Sequence, residues 1–233
     1  MTADFTRSAQ AGARVQAADP AVRDLFGAMA YGQLVAFSQL AGEARKAPTL
    51  REGLALSRLA ASELANAELL LQRLEELGFA PEEAMEPFVG PVDAFHERTA
   101  PADWAESLVK AYVGEGIAVD FFREISAYVD ADSRELVQRV ATGTARTEFV
   151  VGAVRAAIDR DPRLAGRLAL WGRRLMGEAL NQAQRVAADR DALASLLVGD
   201  GLRPGADLVE VSRMLTRITE AHTRRMDALG LAP

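Results

Sequence analysis

Four groups of polar or very small residues interrupt apolar stripes that otherwise run along long amphipathic segments. They are Gln33, the pair in Glu63-Leu-Ala-Asn66, Glu115 and the segment 143–147. Burying a charged side chain is costly unless it has a partner, so four interruptions at the middle of four stripes predict a polar centre inside a helical bundle. Carboxylates at such positions, accompanied by histidines, are the ligands of a carboxylate-bridged pair of iron ions.

The ligand set for such a pair is incomplete. The site takes one Glu from each of two helices and a Glu-x-x-His pair from each of the other two. The residues at equivalent positions here are Gln33, Glu63, Asn66, Glu115, Gly143, Thr144, Arg146 and Thr147. In the fourth helix the pair is either Gly143 with Arg146 or Thr144 with Thr147, and the register stays open. Because only Glu63 and Glu115 are carboxylates, we expect no bound metal, and these two as ligands if a metal binds.

The elements that must position these residues are helices. Of the 233 residues, 49% are hydrophobic and 6% aromatic, with Ala and Leu dominant and few β-branched runs. This composition favours an all-α fold. The chain has no cysteine, which excludes disulfides and thiolate metal sites.

Capping signals place the first two helices. Asp19-Pro20 predicts the start of helix 1, which runs to about residue 47, and Thr49-Leu-Arg-Glu52 is a capping box that opens helix 2. Gly78 ends helix 2. The next stretch, about residues 79–102, holds four prolines, so we predict a long crossover that is not one helix.

Four further helices follow the crossover. Helix 3 is predicted from about residue 102 to 129, and Asp132-Ser-Arg-Glu135 is predicted to cap helix 4. Asp161-Pro162 opens helix 5, which runs to about residue 197, and helix 6 runs from Asp207 to Gly230. We predict a loosely ordered lead-in over residues 1–18 and a single domain over 19–233. The predicted fold is a ferritin-like four-helix bundle with a long crossover between helices 2 and 3 and two additional C-terminal helices.

The distribution of charge and the hydropathy of the chain limit the classes of partner that it can bind. The net charge is −6, but residues 155–190 hold eight arginines against four acids. A local RNA contact through Arg173 and Arg174 is one interpretation of that segment, and a solvated helix face is the other. No apolar run is long enough to span a membrane and no leader pattern precedes helix 1, so we expect a cytoplasmic protein without a membrane partner.

Other polar residues have a structural interpretation beside a functional one. Glu178, Gln182 and Arg185 lie at helical spacing and could line a second polar pocket or pack along a helix face. His222 falls on the stripe of helix 6, where a hydrogen-bonded core histidine is the common case. His96 lies in the crossover, where it could bind a ligand or anchor the loop.

Longer tracts of the sequence resemble a known family. They are Ala30-Tyr-Gly-Gln-Leu34, Pro87-Phe-Val-Gly-Pro-Val-Asp-Ala-Phe-His96, Leu108-Val-Lys-Ala-Tyr-Val-Gly-Glu-Gly-Ile117 and Arg167-Leu-Ala-Leu-Trp-Gly-Arg-Arg-Leu-Met-Gly-Glu178. The chain resembles, over about residues 20–231, actinobacterial ferritin-like proteins related to the tRNA 2-methylthio-N6-isopentenyladenosine hydroxylase. The resemblance implies a ferritin-like bundle and, in the hydroxylase, a non-haem di-iron site that uses dioxygen to hydroxylate a prenyl group on tRNA.

Three functional hypotheses follow. The first is a non-catalytic bundle with a degenerate di-iron site and a binding or interaction role, with no cofactor. The alternative is an iron-dependent tRNA hydroxylase that uses a reduced ligand set. A six-helix transcriptional regulator is a weaker third hypothesis, since the sequence has no short helix-turn-helix unit. The partner stays open between tRNA, another protein and a second copy of the chain.

Overall fold

The computed structural model describes residues 19–141, 144–198 and 208–233. These residues form helices and turns, with no strand among them. We number the helices α1 to α9, and α4 combines three consecutive segments, of which the middle one is a π-helical turn. Their bounds are α1 Pro20–Ala44, α2 Leu50–Glu76, α3 Pro81–Arg98, α4 Trp104–Val109 with Lys110–Gly114 and Glu115–Ser126, α5 Ala131–Val140, α6 Thr144–Arg160, α7 Leu164–Asp189, α8 Asp191–Val198 and α9 Leu208–Leu229.

The predicted starts of α1 and α2 are confirmed. The Asp19 carboxylate accepts a hydrogen bond from the backbone N–H of Ala21, and the Thr49 hydroxyl accepts one from Glu52. Each side chain satisfies a backbone donor that the first helical turn leaves open. Gly78 follows α2 with a φ of +84°, a backbone angle that residues with a Cβ rarely adopt. The short loop over residues 45–49 turns the chain back between α1 and α2, and these two helices pack as the most extensive helix pair of the described structure.

The prediction that the crossover is not one helix is wrong. Pro81–Arg98 forms a single helix, although it contains Pro87 and Pro91. A proline inside a helix removes one hydrogen bond and strains the turn before it, which costs about 3 kcal/mol. Burial offsets that cost, because α3 places Ala84 and Phe88 in the core beside α1.

The contact between α1 and α3 is close enough to require a glycine. A Cβ on Gly27 would overlap with the backbone carbonyl oxygen of Ala84, whereas a Cβ on Gly32, also on α1, would meet nothing within 4 Å. We predict that Gly27→Ala destabilises the protein by about 1–3 kcal/mol, because two backbones would have to separate. Gly32→Ala is the matched control and should stabilise by up to about 1 kcal/mol through helix propensity. Urea unfolding of both variants checks this, and equal stability would contradict it.

Predicted helices 4 and 5 begin at other residues than expected, and each corresponds to two helices of the structure. The cap of α5 is Asp130, not Asp132, because its carboxylate accepts the N–H of Ser133. Predicted helix 4 is described as α5, which ends at Val140, and α6, which begins at Thr144. Predicted helix 5 begins at Leu164 rather than at Pro162 and is divided at Arg190 into α7 and α8. Predicted helix 6 corresponds to α9, with Gly230 at φ +75° after its end.

The buried residues fall into two apolar clusters stacked along the bundle. On α1, Ala30 belongs to one cluster and Leu40 to the other; on α2, Leu70 belongs to the first and Ala60 to the second. The core is thus divided at the height between these residues, which is where the sequence places Gln33 and the Glu63–Asn66 pair. None of the described helices is both long and apolar enough to cross a membrane.

Candidate functional site

The polar residues between the two apolar clusters lie at the same height on several helices. On α7, Leu180 packs against one cluster and Val186 against the other. We call the residues at this boundary the polar layer, and they are Gln33 on α1, Glu63 and Asn66 on α2, and Gln182 on α7. The helices therefore present polar groups at the level where the core is interrupted.

Glu63 is the carboxylate buried in this layer. Its residue surface is 1% exposed, and burial raises the pKa of its carboxyl to about 7. Loss of solvation on burial disfavours the charged form of the carboxyl. Near neutral pH the protonated and ionised forms are therefore present in similar amounts.

The amides of the layer are also largely buried. The Gln182 side-chain NH2 donates to the Pro91 carbonyl on α3 at 2.8 Å, while its Oε1 has no hydrogen-bond partner among the described residues. Gln33 is 8% exposed, and its Oε1 likewise lacks a partner there. Asn66 is half-buried and donates to the Val140 carbonyl at 3.5 Å. The layer thus offers buried acceptors that can take a hydrogen bond.

One further hydrogen-bonded pair joins α1 to α3. The Tyr31 hydroxyl on α1 donates to Asp93 on α3 at 2.9 Å. Burial and then the Asp93 carboxylate raise the pKa of Tyr31 above its ordinary value. Sequence patterns missed this pair because its members are 62 residues apart.

Glu115 lies off the predicted stripe. It is half-buried, while the buried line of α4 runs through Val109, Val113 and Ile117. The π-helical turn at Lys110–Gly114 adds a residue to the turn and shifts the phase of the helix, which an ideal 3.6-residue period does not anticipate. Membership of Glu115 in a polar centre stays a prediction.

The fourth-helix positions stay undecided. Gly143 lies outside the described residues. Thr144, Arg146 and Thr147 belong to the start of α6, and their side chains lie outside the described part of the chain. The register of this pair is therefore as open as the sequence left it.

The side chains that the structure describes do not supply the ligands that a pair of iron ions needs. Among the described residues, no three carboxylate, imidazole or thiolate side chains are grouped where they could hold a metal ion. The described side chains of the layer include one buried carboxylate, Glu63, together with amides. Amides are weak ligands that bring no negative charge, and iron pairs need several carboxylates to balance two cations.

Arg173 and Arg174 lie on the exposed side of α7, and both contact backbone carbonyls. Arg174 donates to the Arg98 carbonyl at the end of α3 at 2.6 Å, and its guanidinium lies over the Trp171 ring. Arg173 donates to the carbonyls of Ala232 and Pro233. Cations near helix ends stabilise the last carbonyls. An RNA contact of these two arginines stays a prediction, but both already have a structural partner.

The two histidines are buried in different places. His96 lies in α3 rather than in a loop; burial, followed by nearby Lys110, lowers the pKa of its imidazole to about 4. His222 on α9 is 5% exposed, and burial followed by Arg225 lowers the pKa of its imidazole. Neither ring nitrogen of His222 has a hydrogen-bond partner among the described residues, contrary to the hydrogen-bonded core histidine that the sequence suggested.

Lys110 is a buried charge that the sequence analysis did not single out. It lies in the π-helical turn, is 9% exposed, and donates to the Thr99 carbonyl at 2.8 Å. Burial lowers the pKa of its ammonium to about 8. A lysine inside the otherwise apolar run from Leu108 to Val113 was the signal available. Because its acceptor is a carbonyl just past the end of α3, its role is to fasten α3 to α4.

The second polar pocket suggested on α7 is only partly assembled. Gln182 is buried and bonded to α3, Glu178 is half-buried with its Oε2 unpartnered among the described residues, and Arg185 is exposed. Only the first two therefore face the protein interior, and Arg185 lies outside any such pocket.

The comparisons with known proteins agree with this architecture. A family model described as "Ferritin-like domain, actinomycetes" matches residues 16–200. No curated protein matches the chain. The matched stretch covers most of the chain and includes the whole polar layer. The chain belongs to the actinomycete ferritin-like domain family.

Proposed function

We propose that this protein is a non-catalytic ferritin-like bundle with a degenerate metal site, and that it has a binding or interaction role. The observation that carries the proposal is the chemical character of the polar layer. Its buried carboxyl, Glu63, has a pKa of about 7, and the other members, Gln33, Asn66 and Gln182, are neutral amides. Such a layer is suited to hydrogen bonding and not to concentrating negative charge.

The charge requirement separates this role from oxygen activation. A pair of iron ions is held by about four carboxylates and two histidines, whose charges balance the cations. Replacing carboxylate by amide keeps the size of the side chain and removes its charge. Within the described part of the chain, the side-chain oxygens of Gln33 and Gln182 have no hydrogen-bond partner, so they can accept hydrogen bonds from water or from a polar molecule.

The competing hypothesis is a hydroxylase of modified tRNA that uses iron held by Glu63 and Glu115. It predicts tRNA retention that depends on Arg173 and Arg174, and charge reversal at both would abolish it. Arg173 and Arg174 also donate hydrogen bonds to backbone carbonyls, so their substitution could act through the structure. The control is Arg185→Glu, because Arg185 is an exposed residue of the same helix with no such contact in the described structure. The tRNA retention of the two kinds of variant is then compared. Retention unchanged by either substitution would remove α7 from consideration as the RNA contact.

Metal content decides between the two hypotheses. We expect less than about 0.1 iron per chain in protein purified after iron-supplemented expression, because the layer lacks charged ligands. The Glu63→Gln variant is the matched control and should have the same low content. About two irons per chain in the wild type, with an oxo-bridge absorption that the variant loses, would contradict the proposal.

A further inference from the structure

Among the residues that the structure describes, none covers the outer face of α2, which is exposed along its whole length. This face lies opposite the buried Glu63 and extends over a 27-residue helix, which is about 40 Å long. Large apolar side chains are exposed on it: Leu50 is 90% exposed, Leu54 49% and Leu69 36%. Its remaining exposed residues are Arg51, Ser57, Arg58, Ala61, Ser62, Ala65, Glu68, Gln72, Glu75 and Glu76.

The two halves of this face have opposite shapes and charges. The N-terminal half projects Leu50 and Leu54, flanked by Arg51 and Arg58. The C-terminal half borders a cleft of about 300 Å³ between α2 and α3. The apolar part of the cleft lining includes Leu69, Leu71 and Met85, and the acidic part is Glu68, Glu75 and Glu82. One helix face therefore carries two protruding leucines flanked by arginines at one end and an apolar cleft bordered by carboxylates at the other.

We propose that this face binds a second copy of the chain, with the two α2 helices antiparallel about a twofold axis beside Ala61 and Ala65. Leu54 lies nine residues before Glu63 and Gln72 nine residues after it. A twofold axis at the height of Glu63 therefore sets Leu54 of each copy at the cleft of the other. The inference is independent of the proposed function, because the polar layer lies on the opposite side of α2.

In a twofold dimer the N-terminal half of each α2 face contacts the C-terminal half of the other. Because these two halves of one face are complementary to each other, they indicate a second copy of the chain rather than an unrelated protein. The cationic half of each copy meets the acidic cleft of the other, so like charges are kept apart. The small side chains of Ala61 and Ala65 at the centre allow the two helices to approach closely. Burial of Leu50 and Leu54 supplies the apolar contribution at the two ends of the interface.

The mass of the full chain in solution tests the proposal. By sedimentation velocity at up to roughly 100 µM, a range that covers weak standard-size interfaces, we expect twice the chain mass of 25.0 kDa. Leu54→Glu should return the mass to that of one chain, since it places a charge against the acidic cleft. Leu170→Glu is the matched control, because Leu170 is 64% exposed on α7, and it should leave the dimer intact.

A charge exchange tests the arrangement itself. Arg51→Glu with Arg58→Glu makes both halves acidic, and Glu68→Arg with Glu75→Arg makes both basic, so each double variant alone should raise the dimer dissociation constant at least about tenfold. An equimolar mixture of the two should form a heterodimer, because each end then pairs opposite charges. A monomeric wild type over the whole concentration range, a dimer that survives Leu54→Glu, or a mixture that stays monomeric would each overturn the proposal.

Discussion

Replacing Arg190 by methionine should destabilise the protein by about 3 kcal/mol. The Asp24 side chain on α1 is fully buried. Arg190 lies where α7 and α8 meet, and its guanidinium nitrogens lie 2.7–2.9 Å from the two carboxylate oxygens of Asp24. Removing one partner of a buried ion pair leaves a charge without adequate compensation, which typically costs about 3–5 kcal/mol. Arg23 still contacts Asp24, so we expect the lower end of that range.

Two further variants make this result specific. Arg213→Met breaks an exposed pair with Glu210 and should change the free energy of unfolding by less than about 1 kcal/mol. Asp24→Asn combined with Arg190→Met removes the buried charge as well, and it should recover most of the loss. Urea unfolding provides all three values, and a loss for Arg190→Met no larger than that for Arg213→Met would show that the buried pair does not hold α1 to the α7–α8 junction.

The second large effect concerns the pH dependence of stability. Burial raises the pKa of Glu63 in the folded protein from the ordinary 4.5 to about 7. Between these values the unfolded chain releases the proton and the folded protein keeps it, so stability falls as pH rises. Relative to Glu63→Gln, which cannot ionise, the wild type should lose about 3 kcal/mol between pH 4.5 and 7 and no more above pH 7.

Unfolding in urea at a series of pH values, with the two proteins side by side, measures this difference. Ser62→Ala, a change at the neighbouring position of α2, is the control: neither residue ionises, so its difference from the wild type should not change with pH. A wild type that gains stability over Glu63→Gln as pH rises would contradict the account. That sign is expected of a carboxylate that is held ionised by a metal or a cation.

Local signals in the sequence were sufficient for several helix ends. Asp19 and Thr49 cap α1 and α2 as predicted, and Gly78 and Gly230 follow helices at positive φ. These signals depend on hydrogen bonds and backbone angles within a few residues, so no tertiary information is needed. The burial of Gln33 and Glu63 was also predictable, because both occupy positions on an apolar stripe whose helical period continues on either side of them.

Features that depend on packing were not predictable in the same way. The prolines of α3 indicate a break, but burial of Ala84 and Phe88 against α1 offsets their cost, and the helix is continuous. The π-helical turn of α4 shifts the phase of the helix after Lys110, and the constant 3.6-residue period used to predict the stripe through Glu115 does not include such a shift. The Asp24–Arg190 pair joins residues 166 positions apart, and no pattern within a helix connects them.

The most direct test of the account is the ionisation of Glu63 itself. A carbon-13 NMR titration of the side-chain carboxyl groups, with Glu63→Gln used to assign the signal, gives its pKa in the folded protein. A midpoint near 7 is the predicted result, because burial raises the pKa of the Glu63 carboxyl. A midpoint at or below the ordinary 4.5 would mean that Glu63 is ionised in the layer, and the proposal of a metal-free polar layer would be wrong.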